Sequence, residues 1–442
     1  MRIGTKSELL LWRQKGERVS SILIKNGRLV DPANNIDGVK DILIEGNIIK
    51  EVNDSIEAQA DKVIDASGKV VMPGFIDLHV HLREPGFEYK ETIMTGAKAA
   101  AKGGVTSICP MPNTKPAIDT PERVKDLLER AKEAPVHILP IGAVTLGQDG
   151  TELTDIEGMK KAGAVALSED GKSVMDTLVF RKALHEAARA GIPMFSHCED
   201  KSLVDGGVMN YGEKSEELGL PGITNAVEDV IVARDILMAK EAGCQLHLCH
   251  CSTADSAVLI EMAKKQKLPV TGEVCPHHFA MSDDEITEDD GRFKMNPPLR
   301  SRADVNALKK ALADDIMDVI STDHAPHGAE EKAQSMLKAP FGIVGLETSF
   351  ALSYTELVKS GLMSLSKLVE KMSLNPAKVL KSDKGNLAAG RVADLVIADI
   401  DTEYEINADE FESMGKNTPF NGRKVFGRIE KTFVDGKLVY GE

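Results

Sequence analysis

The sequence predicts an α/β protein: a (β/α)8 barrel of the TIM type that carries a small discontinuous β-sandwich domain made from both chain ends. Three observations predict it. Eight short apolar runs alternate with helical stretches through the middle of the chain. Strand-like runs with turn signals occupy both ends. The polar residues of the central runs gather at the C-terminal ends of those runs, where barrel enzymes build their sites.

Residues 1–20 hold only the short apolar run Leu9-Leu10-Leu11-Trp12, with Glu8 before it and no small-residue cleavage site after it. They read as a loosely ordered leader rather than a secretory signal. Residues 21–72 read as all-β: SILIKNGRLVD and KDILIEGNIIKEV cluster Ile, Leu and Val around Asn-Gly and Gly-Asn turn signals. Residues 386–442 read the same way, with ADLVIADI and then FGRIEKTFVDGKLVYGE, where Asp-Gly separates two strand-like runs. Each piece is marginal alone. The prediction is one β domain, 21–72 plus 386–442, with the chain ends close together.

Residues 73–385 are predicted to form the barrel. The runs are VVMPGFIDLHVHL, GVTSICPMPN, PVHILPIGAV, AGAVALSED, IPMFSHCED, CQLHLCHCS, LPVTGEVCPHH and IMDVISTDHAPH. Segments such as TPERVKDLLERAKEA and VFRKALHEAARAG lie between them, with Ala, Leu, Lys and Glu at helical spacing and Gly at their ends.

Composition bounds the function. The chain has 442 residues, 42% hydrophobic and 28% charged, with a net charge of −15. Without a dense Lys/Arg run it fits neither nucleic acid nor an anionic membrane surface. A small anionic substrate stays open, because a pocket's local charge can oppose the global one. No apolar run approaches the roughly 20 residues needed to span a bilayer. Cys109, Cys198, Cys244, Cys249, Cys251 and Cys275 sit mostly in apolar runs. They read as buried free thiols of a reducing, cytoplasmic compartment. Cys249 and Cys251 flank His250, but C-x-C without a second pair is weak evidence for structural zinc.

The metal constellation starts with His79 and His81, two apart and so on one side of a strand end. Leu78, Val80 and Leu82 are predicted to face the surrounding helices. His197 and His250 end later runs, Asp170 ends the fourth and Asp323 the eighth. Four imidazoles and two carboxylates at one rim suit two divalent ions, Zn2+ foremost, with Asp170 placed to bridge them. His247, three residues before His250, reads as a packing or helix-facing residue. His137 and His185 read as structural. His277 and His278 read as pocket-shaping or supporting residues. Of the long loops 201–225 and 279–302, one is predicted to cover the substrate.

His-Val-His-Leu-Arg-Glu-Pro-Gly (79–86), Pro-Met-Pro-Asn-Thr (110–114), Lys-Met-Asn-Pro-Pro-Leu-Arg (294–300) and Thr-Asp-His-Ala-Pro-His (322–327) together resemble dihydroorotases of the bacterial type I class. The match runs from about Gly27 to the C-terminus. The H-x-H and D-H-A-P-H pieces alone are shared with hydantoinases, dihydropyrimidinases and allantoinases. The resemblance implies reversible, metal-dependent hydrolysis of L-dihydroorotate to N-carbamoyl-L-aspartate in pyrimidine biosynthesis. It implies that His79 and His81 bind one ion, that His197 and His250 bind the other, and that Asp170 bridges them. Asp323 would ligate the first ion and act as general acid/base. His81, Arg83, Asn113, Asn296 and His327 would hold the substrate, with the backbone near Phe341 and Gly342 closing the ring pocket. Many relatives bridge their metals with a carbamylated lysine, and Lys172 is the only lysine near the fourth-run position. Arg83 lies two residues after His81, and its guanidinium can grip a carboxylate at two points. A homodimer and an association with aspartate transcarbamoylase complete the expectations.

Overall fold

The computed structural model describes residues 20–442, so the predicted leader lies outside the described residues apart from Ser20. Five strands come first: β1 (Ser21–Asp31), β2 (Ile36–Glu45), β3 (Ile48–Asn53), β4 (Lys62–Asp65) and β5 (Val70–Pro73). The central region holds β6 (Phe75–Val80), β7 (Val105–Pro110), β8 (His137–Ile138), β9 (Ile141–Ala143), β10 (Ala166–Ser168) and β11 (Met194–Ser196). It continues with β12 (Met209–Asn210), β13 (Gly222–Ile223), β14 (Leu246–Leu248), β15 (Val270–Val274) and β16 (Val319–Ile320). The last five are β17 (Leu395–Asp399), β18 (Tyr404–Glu405), β19 (Lys424–Val425), β20 (Arg428–Val434) and β21 (Lys437–Tyr440).

Each of the eight central runs holds a strand; the first also includes β5 ahead of β6, and the third holds two, β8 and β9. The strands pair in parallel, in the orders β6-β7-β8 and β16-β15-β14-β11-β10-β9. Between β8 and β9, Leu139 N donates to Ile108 O (2.9 Å) and Val165 N to Pro140 O (2.9 Å), so the third run touches both sheets. At the opposite edges Val80 bridges His324 in parallel, and His81 N donates to His324 O at 2.8 Å. Helices follow the strands because their first turns are capped. Thr92, Thr120, Asp176, Thr253 and Ser301 each accept a backbone N–H from the turn they open. Gly191 and Gly243 close two helices in the left-handed region.

Val80 and Leu82 join the large core shared with the helix Ile93–Lys102. Leu78 instead packs with Ile76, Cys109, Phe195 and Val319 among the strands, which corrects the expectation that all three face helices. The pairing of β6 with β7 shifts register between Asp77 and Val80, and the two-residue alternation does not survive that shift.

The strands from both ends form one eight-stranded mixed sheet, ordered β21-β20-β17-β5-β1-β2-β3 with β4 also on β1. The junction is β17 against β5, antiparallel from Leu395↔Pro73 to Ala398↔Val70. Ile24, Leu29, Ile42 and Ile44 from the N-terminal strands share a buried cluster with Leu395, Ile397 and Phe433 from the C-terminal ones. Between β17 and β20 the chain leaves the sheet. There β18 and β19 pair with each other, and the segment between them lies against the central region. Glu412 N and Ser413 N donate to Glu347 (2.9 and 3.1 Å), and Ser413 Oγ donates to buried Glu91.

Phe433 is fully buried where the two ends meet. Phe433→Ala is expected to destabilise the protein by about 3–5 kcal/mol, read from urea unfolding. A loss below about 1 kcal/mol would show that the ends do not share one core.

Candidate metal centre and active site

The predicted site residues leave their strands at one end of the parallel sheets, and the structure brings all six candidate ligands together. His79 Nε2 lies 3.2 Å from Asp170 Oδ1 and 3.5 Å from Asp323 Oδ1. His81 Nε2 lies 3.0 Å from Asp323 Oδ1 and 3.5 Å from Asp170 Oδ2. His197 Nδ1 and His250 Nε2 are 2.7 Å apart, and sit 3.4 and 3.8 Å from Asp170 Oδ1. The donors fall into two sets, His79–His81–Asp170 and Asp170–His197–His250, with Asp170 common to both.

The other ring nitrogens say what these sets want. His79 Nδ1 donates to Glu273 Oε1 at 2.9 Å, and His81 Nδ1 to Asn113 Oδ1 at 2.9 Å. In a neutral ring each Nε2 then carries a lone pair aimed at a carboxylate oxygen. Lone pair facing lone pair in a buried site is repulsive unless a cation stands between them. His79 Nε2 and Asp170 Oδ1 are both buried without a hydrogen-bond partner. Burial pulls the His79 pKa down, but the fields of Asp170 and Asp323 outweigh it and hold it well above the ordinary value. Burial likewise pushes Asp323 up, and His79 and His81 more than reverse that, leaving it below the usual carboxylate range. Fixed negative charge of this kind attracts a metal cation as it attracts a proton, so the donor set fits two divalent ions.

Above the donors opens a cavity of about 170 Å³ lined by His81, Arg83, Asn113, Asp170, His197, His250, Asn296, Asp323, Phe341 and Gly342. Asn113 Nδ2 donates to Asp170 Oδ2 (3.2 Å), and Asn296 Nδ2 to Glu199 Oε1 (2.8 Å). Arg83 Nε donates to Pro326 O at 3.1 Å. His327 stands behind Arg83 rather than lining the cavity. Its Nε2–H donates to Phe341 O (2.8 Å), and its Nδ1 accepts from the Lys90 ammonium (3.1 Å). Burial, with the Arg83 and Lys90 charges beside it, lowers the His327 pKa to about 2, so the ring is neutral. Lys172 is exposed, its Nζ 3.4 Å from Gly147 O.

The comparisons with known proteins agree with this chemistry. The Dihydro-orotase-like family matches residues 68–256. A dihydroorotase of Staphylococcus epidermidis is 48% identical over 423 residues, covering 95% of this chain and 99% of the relative. The chain belongs to the dihydroorotase family. A dihydroorotase of Elusimicrobium minutum is 49% identical over 419 residues, 94% of this chain and 96% of its own. Among solved structures, the L-hydantoinase (dihydropyrimidinase) of Arthrobacter aurescens superposes with a TM-score of 0.86 at 29% identity, covering 96% of this chain and 97% of the other. Its likeness places this dihydroorotase-family chain with cyclic amide hydrolases of mixed α/β fold.

Some placements depart from the expectations. The ring of His247 does not face a helix: its Nε2 donates to Glu273 Oε2 at 3.0 Å, on the carboxylate that also holds His79. The left-handed backbone at His250 (φ 33°) breaks the alternation that would put the two rings on opposite sides. Residues 201–225 line no part of the cavity. Buried Arg300 pins them instead, donating to Asn210 Oδ1 (3.2 Å) and Ile223 O (3.0 Å). The 279–302 segment does supply Asn296, and His278 Nε2 supports it by donating to Pro297 O at 2.9 Å. The cysteines are all free and buried.

Glu273 is the residue that sequence reasoning missed. Fully buried, it binds His79, His247 and the His250 N–H (3.0 Å). A carboxylate inside the strand-like run VTGEV was the available signal, since a buried charge needs partners. Glu273→Ala is expected to weaken divalent-ion retention by about 10- to 100-fold, measured as ion content after dialysis against graded chelator. Unchanged retention would deny Glu273 any orienting part.

Proposed function

We propose that this chain is a dihydroorotase of the type I class that interconverts L-dihydroorotate and N-carbamoyl-L-aspartate. The observation that carries the reading is the pair of His/Asp donor sets sharing Asp170 at the floor of a cavity that Arg83 faces. His79, His81 and Asp323 would hold one divalent ion and His197 and His250 the other, with Asp170 between them and zinc the foremost candidate. Bound there, the ions would supply Lewis acidity and water acidified toward neutral pH.

The chain's own groups do the rest. The Arg83 guanidinium grips the substrate carboxylate from the cavity wall, with Pro326 O fixing its Nε and His327 Nε2 standing 3.2 Å from its Nη2. Asn113, Asn296 and the Phe341–Gly342 backbone orient the ring, and His327 braces Phe341. Asp323 accepts the proton of the attacking water as oxygen bonds to the carbonyl carbon. It then delivers that proton to the ring nitrogen as the C–N bond breaks. Ring closure runs the same transfers backwards. Hydantoin and dihydropyrimidine lack the ring carboxylate, so they gain nothing from Arg83.

The same reading takes the parallel strands as one closed (β/α)8 barrel over 73–385, and the end strands as a β-sandwich of 21–72 with 386–442. Contact of the third run with both sheets, and the Val80–His324 bridge, support closure. No helix among the described residues is long and apolar enough to cross a membrane. A cytoplasmic location, a homodimer and association with aspartate transcarbamoylase belong to the same proposal.

The test is turnover of dihydroorotate against hydantoin, with bound metal measured alongside; turnover of hydantoin alone would overturn the substrate assignment. Arg83→Lys is expected to raise KM for dihydroorotate at least about tenfold, because a point charge replaces a planar fork. An unchanged KM would remove its carboxylate role. Asp323→Asn should abolish turnover in a protein that still folds, and retained activity would rule it out as the proton carrier.

A further inference from the structure

One wall of the cavity is the Phe341–Gly342 peptide, and that peptide is held in an unusual way. Gly342 has φ 132°, and a Cβ there would come within 2.7 Å of Ala325 Cβ and 2.9 Å of Ala325 O. Only glycine fits, and the backbone runs flush against the segment that carries Asp323. Beneath this wall ends the short helix Ala329–Lys332. The Lys332 ammonium, 3% exposed, donates to three backbone carbonyls: Lys294 O (2.9 Å), Pro340 O (2.9 Å) and Gly342 O (2.8 Å). Among the described residues no carboxylate forms an ion pair with it. The three carbonyls instead take its three protons, which is what a buried ammonium requires.

Those carbonyls are not scattered. Lys294 O also accepts the Gly342 N–H at 3.0 Å, so one ammonium closes a ring of contacts around Gly342. From the other side the C-terminal excursion supplies Asn417. Its Nδ2 donates to Gly342 O (3.0 Å) and Ala325 O (3.3 Å), and its Oδ1 accepts the His327 N–H (3.2 Å). Gly342 O thus receives two donors from two distant parts of the chain.

We propose that Lys332 is a positioning residue for the substrate: its buried ammonium fixes the Lys294, Pro340 and Gly342 carbonyls, and through them the wall that receives the ring. This rests on the dihydroorotase reading above. The clamp touches neither Asp323 nor the four imidazoles, so it serves ground state and transition state alike. Its loss should fall on KM and spare kcat.

The test compares wild-type holoenzyme with Lys332→Met, which keeps the length of the side chain and removes all three donors. KM for dihydroorotate is expected to rise about tenfold, with kcat within about threefold and metal content unchanged. A folded Lys332→Met enzyme with wild-type KM overturns the inference. So does a loss of kcat at constant KM, which is what a merely smaller folded fraction would give. Should Lys332→Met fail to fold, Asn417→Ala loosens the same Gly342 carbonyl from the other side. A rise in KM of about threefold with kcat preserved supports the clamp, and an unchanged KM overturns it. A wild-type enzyme that does not turn over dihydroorotate overturns the activity reading and this inference together, whereas an active wild type beside an unaltered variant overturns the clamp alone.

Discussion

Asp170, Asp323 and Glu273 are buried together among four imidazoles at one end of the parallel strands, and their charge has to be neutralised where it stands. An isolated buried carboxylate costs many kcal/mol, so such groups survive only with cations or several donors around them. Glu273 resolves the problem within the protein, using two imidazole N–H groups and one backbone N–H. Asp170 and Asp323 are less well served: Asn113 gives Asp170 one amide N–H, and the His79 and His81 rings direct their Nδ1 protons to other partners. The polypeptide has committed its own donors one layer further out. That leaves the inner layer for positive charge from elsewhere, and this division of labour suits the site to metal ions rather than to a salt-bridged core.

Holding those groups in register has a backbone cost. Arg83, His250 and Asp323 all lie in the left-handed region, with φ of 62°, 33° and 50°. For residues with a Cβ this costs about 1–3 kcal/mol each and persists only where the surroundings impose it. The surroundings here do so. Asp77 Oδ1 accepts from His79 N (3.0 Å) and Thr322 N (3.2 Å), stitching the first run to the eighth just below the ligands. Strain and stitching act on the same few residues, which is how a rim can be turned inward without unravelling the strands beneath it.

The same geometry explains what could be read from the sequence and what could not. The eight central runs were legible because apolar strands alternating with capped helices leave a strong pattern, and Thr92 or Ser301 before a helix is a local signal. The candidate ligands were legible because each ends its run. Side-chain facing was less so. His247 and Leu78 were misplaced because a left-handed residue and a register shift each reset the alternation, and neither leaves a mark in composition. Glu273 and Asn417 escaped for another reason. Each acts through contacts between segments far apart in the chain, 194 residues in the case of Glu273 and His79, and spacing along a sequence says nothing about such partners.

Charge distribution ties these layers to substrate choice. The chain carries −15 overall, yet Arg83 lines the cavity within the field of Asp323 and Asp170, and Lys90, paired with Glu331 at 3.0 Å, and Lys294 stand behind that lining. Lys90 Nζ reaches His327, and Lys294 Nζ lies 4.3 Å from the centre of the Phe341 ring. Buried neutral His327 lies between two of these cations without adding a third charge, because their fields and its burial keep it unprotonated. The cavity therefore has a wall that carries the Arg83 guanidinium and a floor of carboxylates and imidazoles suited to cations. A neutral ring would find no use for the wall, and an anion without a reactive carbonyl would find none for the floor. A cyclic amide that carries its own carboxylate uses both.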